Sequence, residues 1–154
     1  MQEYGRSNAF GAGVGEFYWG CAKAINGAAQ EAFWYQDVTG NSKFRGLAQS
    51  QIDFLLGANP WGVCWVRKAG TRFPRHPHHQ VADITHTLLA GFWDEGSMAR
   101  EAWESQEIVL QLADSLAAFQ SDQAVYHDDL EDYATNEPTV FTNAIGLSLL
   151  SRLQ

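Results

Sequence analysis

Apolar residues recur at three- and four-residue steps across residues 15–38, where Phe17, Trp19, Ala22, Ile25, Ala28, Ala29, Ala32 and Phe33 mark one side of a helix. Gly40 supplies a stop for it. A second helix is predicted over residues 43–56, capped by Asn41 or Ser42, with Phe44, Leu47, Ala48, Ile52, Leu55 and Leu56 on its apolar face. Gly57 and Asn59-Pro60 end it. Three prolines and several glycines then interrupt residues 60–97, which read as a long functional loop, with Val63-Cys64-Trp65-Val66 as a short strand. A third helix is predicted over residues 98–119, through Trp103, Ile108, Leu112, Leu116 and Phe119. The last is predicted to open at Glu137, with Thr135 or Asn136 as cap, Pro138 in the first turn, and Ile145, Leu149 and Leu150 turned inward. The pattern is that of an all-α protein with about four helices and long loops, in one domain over residues 1–154.

Composition narrows the class. With 154 residues, 45% hydrophobic, 13% aromatic and 18% charged, the chain has the makings of a folded core and not of a disordered segment. No apolar run approaches the roughly 20 residues of a membrane span, and residues 1–6 lack the basic start and apolar run of a secretory signal. Cys21 and Cys64 are too few for a disulfide framework. A net charge of −8 argues against a nucleic-acid partner, which needs a basic surface. The charge is unevenly placed. Residues 1–82 carry 8 basic against 5 acidic side chains, whereas residues 83–154 carry 2 against 13.

Two loop clusters hold candidate chemistry. In Phe73-Pro74-Arg75-His76-Pro77-His78-His79, the prolines favour extended backbone, which presents His76 and His78 to one side and His79 to the other. Such a rigid set of imidazoles and a guanidinium suits donation to the hydroxyls of a neutral polar ligand. His-x-His on extended chain is also a workable metal chelate, and imidazoles that merely cap backbone groups are the plain alternative. Arg75 would repel a cation, so no metal and no other cofactor is expected.

The second cluster spans residues 126–137, with five carboxylates in ten residues: Asp128, Asp129, Glu131, Asp132 and Glu137. A solvated acidic loop is the default reading of such a run, and it lacks the glycine and alternation of a calcium-binding loop. Glu137 differs from the others by opening an apolar helix. A proton donor at that place needs neighbouring negative charge or an apolar wall, and Asp128 or Asp132 can supply the first. Of six tryptophans, Trp19, Trp34 and Trp103 fall at helical spacing and read as core. Trp61, Trp65 and Trp93 sit in the Gly/Pro-rich region and read, by a narrow margin, as surfaces for a sugar ring.

These clusters resemble the two signature regions of glycoside hydrolase family 9, the cellulase family. The second match is close: Tyr126 and Asp128, Tyr133, Glu137, Thr139 and Asn143-Ala144 keep that family's spacing. Leu55-Leu56-Gly57-Ala58-Asn59-Pro60-Trp61-Gly62 and Pro74-Arg75-His76-Pro77-His78-His79 look like its other conserved segments. The similarity covers about residues 10–80 and 124–153, and residues 82–121 match poorly.

The resemblance implies a partial (α/α)6 barrel, the C-terminal portion of a catalytic domain. It implies hydrolysis of O-glycosidic bonds in a β-linked glucan, a cellulose-like polysaccharide or oligosaccharide, by an inverting acid/base mechanism, and a secreted or periplasmic setting. Glu137 corresponds to the proton-donating acid and His78 to a histidine contacting the sugar. Asp128 is assigned to holding or tuning the site, and His76, Arg75 and Trp61 to binding substrate. Gln80 stands where the family has an arginine, so the glycan need not be cellulose. The aspartate expected as base belongs to a segment absent here. The chain alone is therefore expected to be inactive and to self-associate, wanting the missing N-terminal part of the barrel. The competing class is a non-catalytic helical module that binds glycan or metal.

Overall fold

The computed structural model describes residues 11–13, 17–86 and 90–153. Gly15, where the first helix was expected to begin, and residues 1–6 lie outside them. Five α-helices occur among the described residues: α1 (Ala22–Thr39), α2 (Arg45–Leu55), α3 (Gln80–Thr85), α4 (Arg100–Glu104) and α5 (Val140–Leu150), with a 3-10 turn at Ala117–Phe119. No strand forms among them. The expected strand at residues 63–66 is reduced to an isolated antiparallel bridge between Val66 and Trp93, and a second bridge joins Met98 to Val125.

Helix α1 packs against both α2 and α5. Its buried positions, Ala22, Ile25, Ala28, Ala29 and Ala32, carry mostly methyl side chains, which let neighbouring backbones approach closely. Gly40 ends it in the left-handed conformation (φ 69°), returning its N–H to the Gln36 carbonyl. Against this face, α2 buries Ala48, Ile52, Phe54 and Leu55. Beyond α2, Asn59 holds the turn into the loop region: its amide donates to the Phe54 and Val63 carbonyls (both 2.8 Å) and accepts from the Val63 N–H. On α5, Gly146 lies under the Trp93 indole so closely that a Cβ there would collide with it.

Two helical expectations change. The segment expected as one helix over residues 98–119 contains only α4 and the 3-10 turn. Met98 exchanges both backbone hydrogen bonds with Val125, Glu107 takes φ 54°, and the Leu112 N–H goes to the Asp129 carboxylate instead of a carbonyl four residues back. Its apolar periodicity does not mark one continuous core face, since Leu116 is buried while Leu112 and Phe119 are exposed. The last helix opens at Val140, not Glu137, because Thr139 is its cap, accepting from the Thr142 N–H. Thr135 and Asn136 have other partners.

The tryptophans also divide differently. Trp61, Trp65 and Trp93 are almost wholly enclosed and belong to the core, with the Trp61 indole N–H donating to Gln120 (2.8 Å). Trp61 therefore offers no surface to a sugar. Trp34, read as core, is 54% exposed, and Trp19 and Trp103 are half-buried.

The core encloses several titratable groups. Arg67 donates from Nε and a terminal nitrogen to one oxygen of Asp94 (3.1 and 2.7 Å), with both side chains fully out of solvent. Burial pushes the Asp94 carboxyl up to about 7 against the pull of the Arg67 guanidinium. Because folding raises this group above its ordinary 3.8, the stability it contributes is present below about pH 4 and is lost as pH rises through about 7. Denaturant titrations between pH 4 and 8 are expected to show this decline, and Asp94→Asn is expected to flatten it. Burial likewise pushes the Cys21 thiol up to about 12 and raises that of Cys64. Both are free, buried cysteines that stay protonated at neutral pH. Labelling by a thiol reagent should wait on unfolding, and reaction within the dead time of mixing would contradict this.

Candidate active site

The two sequence clusters meet. The carboxylate of Asp128 accepts the main-chain N–H groups of Arg75 (2.8 and 2.9 Å) and His76 (2.7 Å), across more than fifty residues of chain. Asn136 completes the clasp: its amide donates to the His76 carbonyl and its own carbonyl accepts the His78 N–H (3.0 Å). His78 is thus joined to the residue directly before Glu137. Asp128 thus holds one loop against the other.

The three histidines have separate tasks. His78 directs Nδ1 at the Leu130 carbonyl (2.6 Å) and sets its ring edge-on to Tyr133, with centroids 5.9 Å apart. His79 caps α3, accepting the Ala82 N–H on Nδ1. His76 remains exposed, its Nδ1 3.6 Å from Asp128. No group of three histidine, cysteine or acidic side chains among the described residues is arranged to hold a metal ion.

The acidic run is not a solvated loop. Asp129 and Asp132 are buried. Asp132 accepts five donors: the Trp103 indole N–H (2.9 Å), the Ala134 and Thr135 N–H groups (3.1 and 2.9 Å), the Thr135 hydroxyl (2.8 Å) and His127 Nδ1 (2.9 Å). Asp129 accepts the Leu112 and Glu131 N–H groups (2.7 and 2.9 Å). These aspartates substitute for regular secondary structure, satisfying backbone donors that no helix or sheet takes up.

Glu137 lies in the connector before α5, half-buried. Among the described residues its carboxylate has no hydrogen-bond or ion-pair partner, while its backbone is held on both sides. Its carbonyl accepts the Glu95 N–H (3.0 Å), and the Gly96 N–H donates to Thr135 (2.9 Å). The buried Glu95 carboxylate also receives the hydroxyls of Thr139 and Thr142 and an ion pair from Lys23 (3.3 Å). Gly96 therefore holds the chain before Glu137, and Glu95 holds it at Glu137 and after it. It lies in the stretch where no motif is recognisable, so nothing in the sequence pointed to it. Tyr133 stands between His78 and Trp19, whose ring centroid is 6.1 Å from its own. The aromatic surface beside His78 thus comes from Trp19 and Tyr133.

Comparison with known proteins identifies the family. The chain matches the family model for glycosyl hydrolase family 9 over residues 4–150. It is similar to a xyloglucan-specific endo-β-1,4-glucanase of Bacteroides ovatus, with 28% identity over 94% of this chain and 23% of the relative. A single-mutant thermostable endoglucanase from Alicyclobacillus acidocaldarius superposes with a TM-score of 0.78 at 26% identity, covering 99% of this chain and 28% of that one. An enzyme solved in complex with cellobiose-like isofagomine gives 0.76 at 28% identity, with the same coverage. The chain spans about a quarter of the length of these relatives.

Proposed function

The chain belongs to glycosyl hydrolase family 9, its helices forming part of an (α/α)6 barrel, and from this we propose that it carries the acid half of an inverting hydrolysis of a β-linked glucan. The observation that supports this best is the backbone hydrogen bond from the His78 N–H to the Asn136 carbonyl, which ties the histidine segment to the residue directly before Glu137. Glu137 protonates the departing glycosidic oxygen. His78, whose Nδ1–H donates to the Leu130 carbonyl and whose ring lies edge-on to Tyr133, presents Nε2 as an acceptor for a hydroxyl of the sugar at the point of cleavage. Asp128 is a positioning residue, since its oxygens face backbone N–H groups.

Inversion needs a second carboxylate that activates water on the opposite face, roughly 6.5–9.5 Å from the acid. The nearby carboxylates are engaged: Asp128, Asp129 and Asp132 by backbone donors and Glu95 by two threonines and Lys23. The base then comes from the remainder of the barrel. The same remainder covers the apolar side chains left exposed on α1 and α5, namely Trp34, Val38, Val140, Phe141 and Leu147. The test compares this chain with a polypeptide that also carries the remainder of the barrel, on a soluble β-1,4-glucan followed by proton NMR. The longer protein should release the α-anomer first, and the chain alone should release nothing. First appearance of the β-anomer, or turnover by the chain alone as a clean monomer, would overturn the reading.

A further inference from the structure

A cavity of about 280 Å³ lies between residues 71–76 and residues 112–116, beside the candidate site. Its charge is unlike that of the chain as a whole. Arg72 and Arg75 line it, and among the described residues neither guanidinium is paired with a carboxylate. Arg75 lies over the Phe73 ring instead, 4.8 Å from its centroid. The acidic side chain on the wall is Asp128, whose oxygens already accept two backbone N–H groups. A protein of net charge −8 thus lines this hollow with two arginines against one aspartate, a local excess of positive charge. Leu112 and Leu116 form an apolar wall on the other side.

That wall is built, not incidental. The Leu112 N–H is tied to Asp129 and the Leu116 N–H to Asp114 (2.7 and 2.8 Å), so the acidic loop that carries Glu137 also fixes the far side of the cavity. Residues 112–116 are loop backbone, so these two tethers give the cavity its far side. It is also near the reacting centre: His76 is on its rim, and His78 follows two residues on, about 7 Å of extended chain.

We infer that this cavity is a subsite for an acidic sugar unit of the glycan, one bearing a carboxylate as a uronic acid does. The inference rests on the proposed function and names its substrate class. Planar guanidinium groups match a carboxylate in a bidentate fashion, and the leucine wall accepts the C–H face of a pyranose ring.

The experiment is isothermal titration of the polypeptide bearing the remainder of the barrel, with Glu137→Gln introduced so that ligand is not consumed. The probes are a β-linked glucan oligosaccharide carrying one glucuronic acid unit, its neutral counterpart, and free glucuronic acid. The acidic oligosaccharide should bind at least tenfold more tightly than the neutral one. Arg72→Gln, an exposed substitution away from the proposed catalytic residues, should remove that preference and leave neutral binding as it was. Equal binding of the two oligosaccharides, or a preference that survives Arg72→Gln, would overturn the subsite. So would free glucuronic acid binding as tightly as the oligosaccharide, which would indicate a simple anion site. If neutral glucan is hydrolysed with inversion yet no acidic preference is seen, the subsite fails alone. If acidic glycan binds but the same polypeptide with Glu137 intact hydrolyses nothing, the enzymatic reading fails and the subsite stands.

Discussion

In the polypeptide that also carries the remainder of the barrel, Glu137→Gln is expected to lower turnover of a native β-glucan by about 10²–10⁴-fold, the usual contribution of a positioned general acid. The substitution keeps the size and hydrogen-bonding reach of the side chain and removes its transferable proton. It should therefore leave the backbone hydrogen bond from Glu95 intact, and binding of substrate nearly unchanged. The loss should depend on the leaving group. A sugar alcohol departs poorly without protonation, whereas an activated phenolate departs readily, so an aryl glycoside with an acidic phenol should lose far less. Parallel kcat and KM measurements on the two substrates decide the matter. An equal loss on both would assign Glu137 to another role, and no loss on either would remove it from the site.

The second large effect concerns stability. Asp132→Ala should cost roughly 3–5 kcal/mol of unfolding free energy, the scale for removing one partner from a buried charged network. The carboxylate is wholly buried and accepts five donors from Trp103, His127, Ala134 and Thr135. Without it those donors have neither partner nor water. Asp132→Asn should cost nearly as much, because its amide nitrogen would point a donor at donors. Asp122→Asn, an exposed change in the same acidic half, should shift stability by no more than about 0.5 kcal/mol. Denaturant unfolding of the three variants provides the check. A cost for Asp132→Ala below about 1 kcal/mol would mean that the loop is anchored elsewhere. Since this loop ends at Glu137, activity should fall with it.

What could be read from residues alone was whatever is decided within a few positions of chain. The first two helices follow from apolar steps of three and four and from punctuation at Gly40 and Asn59, all of them local interactions. The spacing from Tyr126 to Asn143 carries the family in the same local way. Tertiary structure decided the rest. Residues 98–119 have a helical period, but Asp129 takes the Leu112 N–H from 17 positions away, and a backbone donor so engaged cannot close a helical turn. Trp61 and Trp34 exchange their expected places because burial depends on which elements surround an indole, and no short window of sequence contains that information. Carboxylates show the same division most sharply. In sequence, Asp128 and Asp132 read as part of a solvated acidic loop; in the fold, both are enclosed by donors, whereas among the described residues the Glu137 carboxylate is left without a partner. Glu95 comes to Glu137 from more than forty residues away, through contacts that exist only once the chain has closed on itself.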